Sequence, residues 1–436
     1  MDKIETKSRF TESNESAPKI SDIVSNGLCI GCGLCESIAG SQNVQMTMTP
    51  EGRLRPMQIA PVQAEAVQQI YRGCPGTRIG GLPDSEIDAN SKIDPVWGPY
   101  RRMDVGYAGD EQIRYKAATG GVMTALASHL LDSGKVDFIL HVAASADKPM
   151  RTERQLSFTT AQVLNAAGSR YGPAAPLVDV MQLLERKQTF AFVGKPCDVT
   201  ALRNLAEQDP RVDQYCRYKM AIVCGGASEL GKSQDVLDDF GIREQDLSLF
   251  RYRGHGNPGA TRLETKDGRS FEKTYNEMWG DEAGWRLQFR CKICADSIGE
   301  GADIAASDIW PGGDPSGNDA GFNGVITRTK KGEELLASAI ETGALIIEGE
   351  LGPRDMDGFQ PHQVRKKQAV WSRLKGLERA GQLVPEVTQL RIQELAKAAG
   401  TERAEHEAEG TYQRALIGKT SEPEVRPELS SLTEKV

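Results

Sequence analysis

The chain is predicted to be an α/β protein (α+β overall), with a largely parallel sheet flanked by helices. Three features lead there. Between about residues 100 and 350, short apolar runs alternate with segments of helical period. Residues 19–80 are instead turn-rich and interrupted by Gly and Pro. Beyond residue 365 the pattern is helical and charged.

In TGGVMTALASHLLDSG, Val122, Leu126 and Leu130 share one face and Gly134 is a stop signal, so this segment is a helix. KVDFILHVAA follows as a strand. TFAFVG is a strand running into Lys195-Pro196-Cys197, and DVTALRNLAEQ is the helix after it, with Asp198 as N-cap. KMAIVC is a strand ending at Cys224, followed by Gly225-Gly226 and a helix reaching about Phe240. ADIAASD and NGVITRT are later strands, with GEELLASAIETG helical. Further on, Val370, Leu374 and Leu377 make a stripe, and VTQLRIQELAKAAG is another amphipathic helix. A solvated peripheral extension is expected there, with the last 25 or so residues frayed. The expected organisation is a disordered tail at 1–18 and a cysteine-bearing module with its linker, LPDSEIDANSKIDP, at 19–95. The core follows in two parts, 96–190 and 191–370, and a charged helical extension at 371–436.

The 436 residues leave room for a substantial core, and 39% hydrophobic content argues against wholesale disorder. A net charge of −8 without a basic stripe argues against nucleic-acid binding. No apolar run reaches membrane-spanning length, and the polar N-terminus lacks the apolar centre of a secretion signal, so a cytoplasmic location is expected. Nine cysteines, an odd number, count against a disulfide framework.

Cys29, Cys32 and Cys35 form a Cys-x2-Cys-x2-Cys run inside LCIGCGLC, and Cys74-Pro75 follows at a distance. This is the ligand pattern of a 4Fe-4S cluster in a ferredoxin-like module. Gly31 and Gly33 permit the tight backbone that lets three sulfurs surround one corner of a cube. Zinc, which favours two separated Cys-x2-Cys knuckles, fits less well. Electron transfer is the chemistry such a cluster supports.

Cys291 and Cys294 form a further Cys-x2-Cys pair in RCKICAD. Cys197 and Cys224 each follow a predicted strand and precede a helix, which in a parallel sheet places them at one edge. Together these four thiols could hold a second cluster or a zinc ion, or Cys197 and Cys224 could be small buried hydrophobes. Cys216 is left without a ligand role.

One-electron clusters need a converter before two-electron chemistry. No Gly-x-Gly-x-x-Gly follows a strand, so the dinucleotide fingerprint is missing. Thr119-Gly120-Gly121 opens the helix beginning near Val122, and helix N-termini suit a pyrophosphate. The Asn165–Tyr171 turn supplies hydroxyls, a cation and a ring. RYRGHGNPG (251–259) is expected to be a surface loop; His255 and Asp308 receive no role.

Jointly, several segments resemble the family of coenzyme F-420 hydrogenase/dehydrogenase β subunits over residues 25–370. They are LCIGCGLC with Cys74-Pro75, ATGGVMTALASHLLDSGKVD, AAGSRYGP, VGKPCDVTALRN, VCGG, RCKICADSIGEGADIAASDIWPGG and GFNGVITRTKKGEELL. The resemblance implies a flavin-binding core, with FAD near Thr119, Gly120, Gly121, Val122, Gly168, Ser169 and Tyr171. It also implies two 4Fe-4S clusters, one at Cys29, Cys32, Cys35 and Cys74, and one beside the flavin at Cys197, Cys224, Cys291 and Cys294. Ferredoxin-dependent reductases of chlorophyll intermediates are similar over the same region. They usually read Ala-Cys-Ala-Phe-Leu around the fourth cysteine, where this chain has Gly73-Cys74-Pro75-Gly76. The implied activity passes electrons between ferredoxin, or another small carrier, and an organic two-electron substrate, a deazaflavin or a tetrapyrrole. The alternative is a relay subunit without a substrate site. A homo-oligomer or a larger redox complex is the implied assembly.

Overall fold

The computed structural model describes residues 18–315 and 319–428, so the tail expected at 1–18 lies, except for Pro18, outside the described residues. Eight strands form the central sheet: β1 (Arg102–Ala108), β2 (Phe138–Ala144), β3 (Thr152–Ser157), β4 (Phe190–Gly194), β5 (Cys216–Ile222), β6 (Ile304–Asp308), β7 (Asn323–Thr327) and β8 (Leu345–Glu350). Their order is β8-β1-β7-β6-β5-β4-β2-β3. The expected largely parallel sheet is corrected to a mixed one. Only β2–β4, β4–β5 and β5–β6 pair in parallel, while β3, β7, β1 and β8 join antiparallel. Parallel neighbours need a crossover, and among the described residues between β6 and β7 the chain makes only a single 3-10 turn, Pro311–Gly313, before returning beside β6. An apolar run reports burial on both faces, not direction.

The pleat sends Phe138, Leu140, Phe190 and Phe192 to one face, against Val199, Leu202 and Leu205 of the following helix. Ile139, Ala191, Met220 and Ile304 point the other way, onto Val122, Leu126 and Leu130. These last three lie on α1 (Val122–Asp132), as the apolar spacing predicts. Burying each such side chain contributes about 1.5–3 kcal/mol. The helix after β4 is α2 (Pro196–Ala206), and its cap corrects the sequence reading. Lys195 is the N-cap and Pro196 the first helical residue, so Asp198 sits one turn in and accepts from Lys195 Nζ at 2.6 Å. Proline is preorganised for that first position, which fixes the start ahead of Asp198. After β5, α3 spans Gly231–Phe240.

Residues before the sheet form the helices Leu34–Ala39 and Ala64–Gly73 around the hairpin Val44–Met48/Leu54–Gln58. A separate antiparallel meander, Leu247–Arg251, Thr261–Thr265 and Ser270–Lys273, has no counterpart in the sequence reading.

The solvated extension is also corrected. The C-terminal part contains α4 (Pro361–Arg379), α5 (Ile392–Ala398) and α6 (Thr401–Leu416). Val370 and Leu377 are fully buried, and a Cβ at Gly376 would stand 2.3 Å from the Ala408 carbonyl, so α4 and α6 are in close contact. Lys367 and Arg391 both reach the buried Glu300 carboxylate. Residues 417–428 are not frayed: Thr420 is buried, the Glu422 amide donates to Ser25 O (3.1 Å), and the Glu428 amide to Met48 O (2.8 Å). Charge along the sequence marked this tail as exposed; its partners lie hundreds of positions away. Among the described residues, no helix is long and apolar enough to cross a membrane.

Candidate functional site

Cys29, Cys32, Cys35 and Cys74 line one small apolar cavity together with Ile23, Met46 and Ile70. Two glycines shape the loop around it. Gly31 (φ 79°) and Gly33 (φ 88°) are left-handed, and a Cβ would approach Leu54 O to 2.6 Å and Val178 Cγ1 to 2.5 Å respectively. The Gly31 and Gly76 amides donate to the sulfurs of Cys29 and Cys74, each at 3.3 Å. Burial pushes the Cys29 thiol up to about 11, with Cys74 adding to the rise. Cys32 and Cys35 are raised by burial as well, and both also feel Cys74. Four thiols so crowded and desolvated become thiolates only beside a compensating cation, such as iron in a cluster would supply.

The second set assembles across the carboxyl edge of the parallel strands. Cys197 is the second residue of α2, Cys224 lies just past β5, and Cys291 and Cys294 come from the short helix Phe289–Lys292 and the residues after it. Cys197 interacts with Cys224 and Cys294, and Cys224 with Cys291. The Ala227 amide donates to Cys291 Sγ at 3.2 Å. Burial pushes Cys224 up to about 12. Cys216 stands apart at the start of β5, fully buried, among Lys219, Asp303, Lys331 and Arg203. Among the described residues no three His, Cys, Asp or Glu side chains gather around a single-ion site. In a cubane each cysteine takes its own iron, so the ligands stand further apart.

A cavity of about 460 Å³ opens at the carboxyl ends of β2, β4, β5 and β6, the edge where ligands gather in α/β sheets. Thr119, Gly121, Val122, Gly168, Ser169 and Tyr171 line it. Gly120 lies behind the wall, where a Cβ would meet Asn323 Oδ1 at 2.9 Å. The Val122 amide faces the same Asn323 side chain at 3.3 Å. Cys224 belongs both to this wall and to the second thiol set. Lys195 is also on the wall. Burial alone would lower its pKa, but Asp198 and Cys197 overcome that and hold its ammonium charged.

Sequence reasoning missed a heavily bonded part of the wall and expected 251–259 to be a surface loop. That expectation is corrected: Tyr252 and Arg253 are buried, at 1% and 3% exposure. Arg253 donates to Asp308 Oδ2 (3.0 Å) and Thr119 Oγ1 (2.9 Å), with its guanidinium 4.8 Å from the Trp310 ring centre. Thr119 also bonds Asp308. His255, by contrast, packs on Tyr115 with ring centres 5.3 Å apart and is not on the wall. The one available signal was an arginine embedded in a glycine-rich run. Trp279 Nε1, Trp310 Nε1, Ser228 Oγ, Ser307 Oγ and Asp198 Oδ1 are buried without a hydrogen-bond partner among the described residues, and all five residues line the cavity. Unpaired polar atoms, aromatic rings and glycine turns in one cavity suit a polar heterocycle such as FAD.

Two family models match, in tandem. The model for the N-terminal part of the coenzyme F420 hydrogenase/dehydrogenase beta subunit covers residues 103–182, and that for the C terminus covers 187–350. The chain is 27% identical to a coenzyme F420 hydrogenase subunit beta of Methanococcus voltae over 263 residues, 57% of this chain and 84% of the relative. It is 23% identical to the coenzyme F420-dependent sulfite reductase of Methanocaldococcus jannaschii over 338 residues, 73% of this chain and 47% of the relative. With one of the subunits of the F(420)H(2) dehydrogenase of Methanosarcina mazei it shares 22% identity over 325 residues, 73% of this chain and 84% of the relative. Among solved structures, a chain of the F420-reducing NiFe hydrogenase complex from Methanosarcina barkeri is similar with a TM-score of 0.47 and 22% identity. That similarity covers 64% of this chain and 95% of the other.

Proposed function

Because this chain belongs to the family of coenzyme F420 hydrogenase/dehydrogenase beta subunits, we propose that it is an oxidoreductase exchanging an electron pair with the deazaflavin F420. On its other side it exchanges single electrons with ferredoxin, another small carrier, or a larger redox complex. In this reading two 4Fe-4S clusters would supply single-electron transfer and FAD, held in the cavity, would supply two-electron chemistry. Cys29, Cys32, Cys35 and Cys74 hold the outer cluster; Cys197, Cys224, Cys291 and Cys294 hold the inner one.

The observation that carries the proposal is the double membership of Cys224 in the inner thiol set and the cavity wall. The two sites share this residue, so no further carrier is required between them. Of the residues that line the cavity, Tyr171, Trp279 and Trp310 would offer rings to the heterocycle, and Thr119 and Ser169 hydroxyls. Arg253, held by Asp308, fixes a positive charge on the wall, and Lys195 fixes another at the junction with the inner set. Such fixed charges act strongly where the surrounding protein keeps water out.

The test is anaerobic reconstitution of the full chain. About eight irons per chain, together with releasable FAD, are expected. Reduced F420 should then lose its electrons to the protein in a single turnover, read as return of the deazaflavin visible band. A protein that loads iron but no flavin contradicts the enzyme reading. It would favour a second one, a relay within a larger complex, which the naming of several relatives as subunits supports. Zinc replacing half the iron removes the inner cluster from both.

A further inference from the structure

Two buried arginines stand where the two cysteine sets meet. Arg290 lies on the short helix of Cys291 and donates through Nη2 to the carbonyl of Pro75, the neighbour of Cys74, at 2.7 Å. Arg55, on the hairpin strand beside the first cysteine loop, donates through Nη2 to Gln288 Oε1 at 2.9 Å. The Gln288 carbonyl in turn accepts from the Cys291 amide at 3.0 Å. Both arginines are nearly inaccessible, at 1% for Arg55 and 2% for Arg290. Arg55 is thereby within electrostatic reach of Cys29 in one set and Cys291 in the other.

The two cations differ in one respect. Arg290 leaves its buried Nε without a partner among the described residues. Arg55 is met by a carboxylate, Glu422, in a two-pronged contact: Nε to Oε2 at 2.6 Å and Nη2 to Oε1 at 2.7 Å. Glu422 side-chain exposure is 4%, so the pair is sheltered from solvent screening. Glu422 comes from the C-terminal strap, residues 417–428, which is fastened on both sides. Thr420 bonds Gln382 at 2.7 Å, the Glu422 amide bonds Ser25, and the Glu428 carboxylate takes Arg151 at 2.8 Å. The strap therefore delivers a fixed negative charge to the junction between the sets.

A redox group gains negative charge on reduction, so a buried cation beside it favours the reduced form and a buried anion disfavours it. Arg55 donates to the Leu54 carbonyl, against which Gly31 of the first cysteine loop packs, and meets the second set only through Gln288, so the pair acts unequally on the two sites. We infer that the Arg55–Glu422 ion pair sets the difference in reduction potential between the groups held by the two cysteine sets, with the C-terminal strap supplying the counter-charge. This rests on the reading above that both sets hold clusters.

The full reconstituted chain is titrated anaerobically, with midpoints followed by electron paramagnetic resonance and iron counted first. Glu422→Gln, which removes the anion and keeps the shape, should raise the outer midpoint. The shift should favour reduction on the order of tenfold, about 59 mV for a one-electron couple, with a smaller rise at the inner site. Arg55→Gln should lower it, the double variant should return close to wild type, and Arg55→Lys should leave it near wild type. A purely structural role would not produce this reversal of sign. If Arg55→Gln loses iron, Glu422→Gln alone decides. Full iron with unmoved midpoints in Glu422→Gln overturns the inference while leaving the cluster reading intact. A wild-type chain that binds no iron overturns the cluster reading itself, and the inference with it.

Discussion

Arg253 Nη1 donates to Asp308 Oδ2 at 3.0 Å, tying the glycine-rich 251–259 loop to the end of β6 on the cavity wall. Arg253 is buried and Asp308 keeps a quarter of its side chain exposed (26%), so the pair is partly screened. Removing the cation leaves a carboxylate bonded chiefly to Thr119. Arg253→Met should therefore cost about 2 kcal/mol, below the range for fully buried pairs. It should also reduce the FAD retained per chain. Urea unfolding and flavin release measure the two effects, and an unchanged midpoint with full flavin would contradict this role.

The cysteines separate cleanly by neighbourhood. Cys291→Ser removes a thiol facing Cys224 and should lower bound iron by about half if the inner set holds four of eight irons. Cys216→Ser lies among Lys219 and Asp303 and should leave iron unchanged. Iron analysis after identical reconstitution checks both; equal losses would break the assignment.

Glu300 is fully buried and accepts from Lys367 of α4 and from Arg391 at the start of α5. Glu300→Gln strands two cations on the extension. The expected loss is about 3–5 kcal/mol, the cost of breaking a buried pair by removing one partner. A shift in the denaturant midpoint without a change in slope would show it.

His141, on β2 at the cavity, is bonded to Ser157 at 2.8 Å and held neutral by burial, its pKa pushed down to about 4. His362, also on the wall, is lowered to about 4, mainly by burial. An unfolded histidine titrates near 6.5, so between about pH 6.5 and 4 the unfolded chain binds protons that the folded chain does not. Stability should therefore fall as pH drops through that window and be flat above it for these groups. For His141 the full effect is on the order of 3 kcal/mol. His141→Gln should flatten the slope of unfolding free energy against pH; an identical slope would rule His141 out as a contributor.

Much of this was legible locally. The three-residue step in LCIGCGLC could be read without a fold because its spacing lies within one short loop. TFAFVG and KMAIVC were recognisable as buried strands, and their parallel pairing explains why Cys197 and Cys224 share an edge. The reverse direction of β3, β7 and β8 was not legible, since strand direction depends on how the chain returns rather than on which residues are apolar. Arg253 was hidden for a related reason: its glycine-rich neighbours describe a flexible backbone, and only packing against Asp308 and Trp310 makes it buried.

Residue chemistry at short range thus indicated which thiols are candidates to chelate, which runs are buried and where α1 lies. Long-range contact settled the rest: the mixed sheet, the polar network on the cavity wall, and the C-terminal strap that carries Glu422 to Arg55. The division follows from physics. Periodicity and chelate spacing are fixed within a few bonds. The pairing of a charge with one separated by 367 positions exists only once folding has brought the two together, and nothing near either residue encodes it.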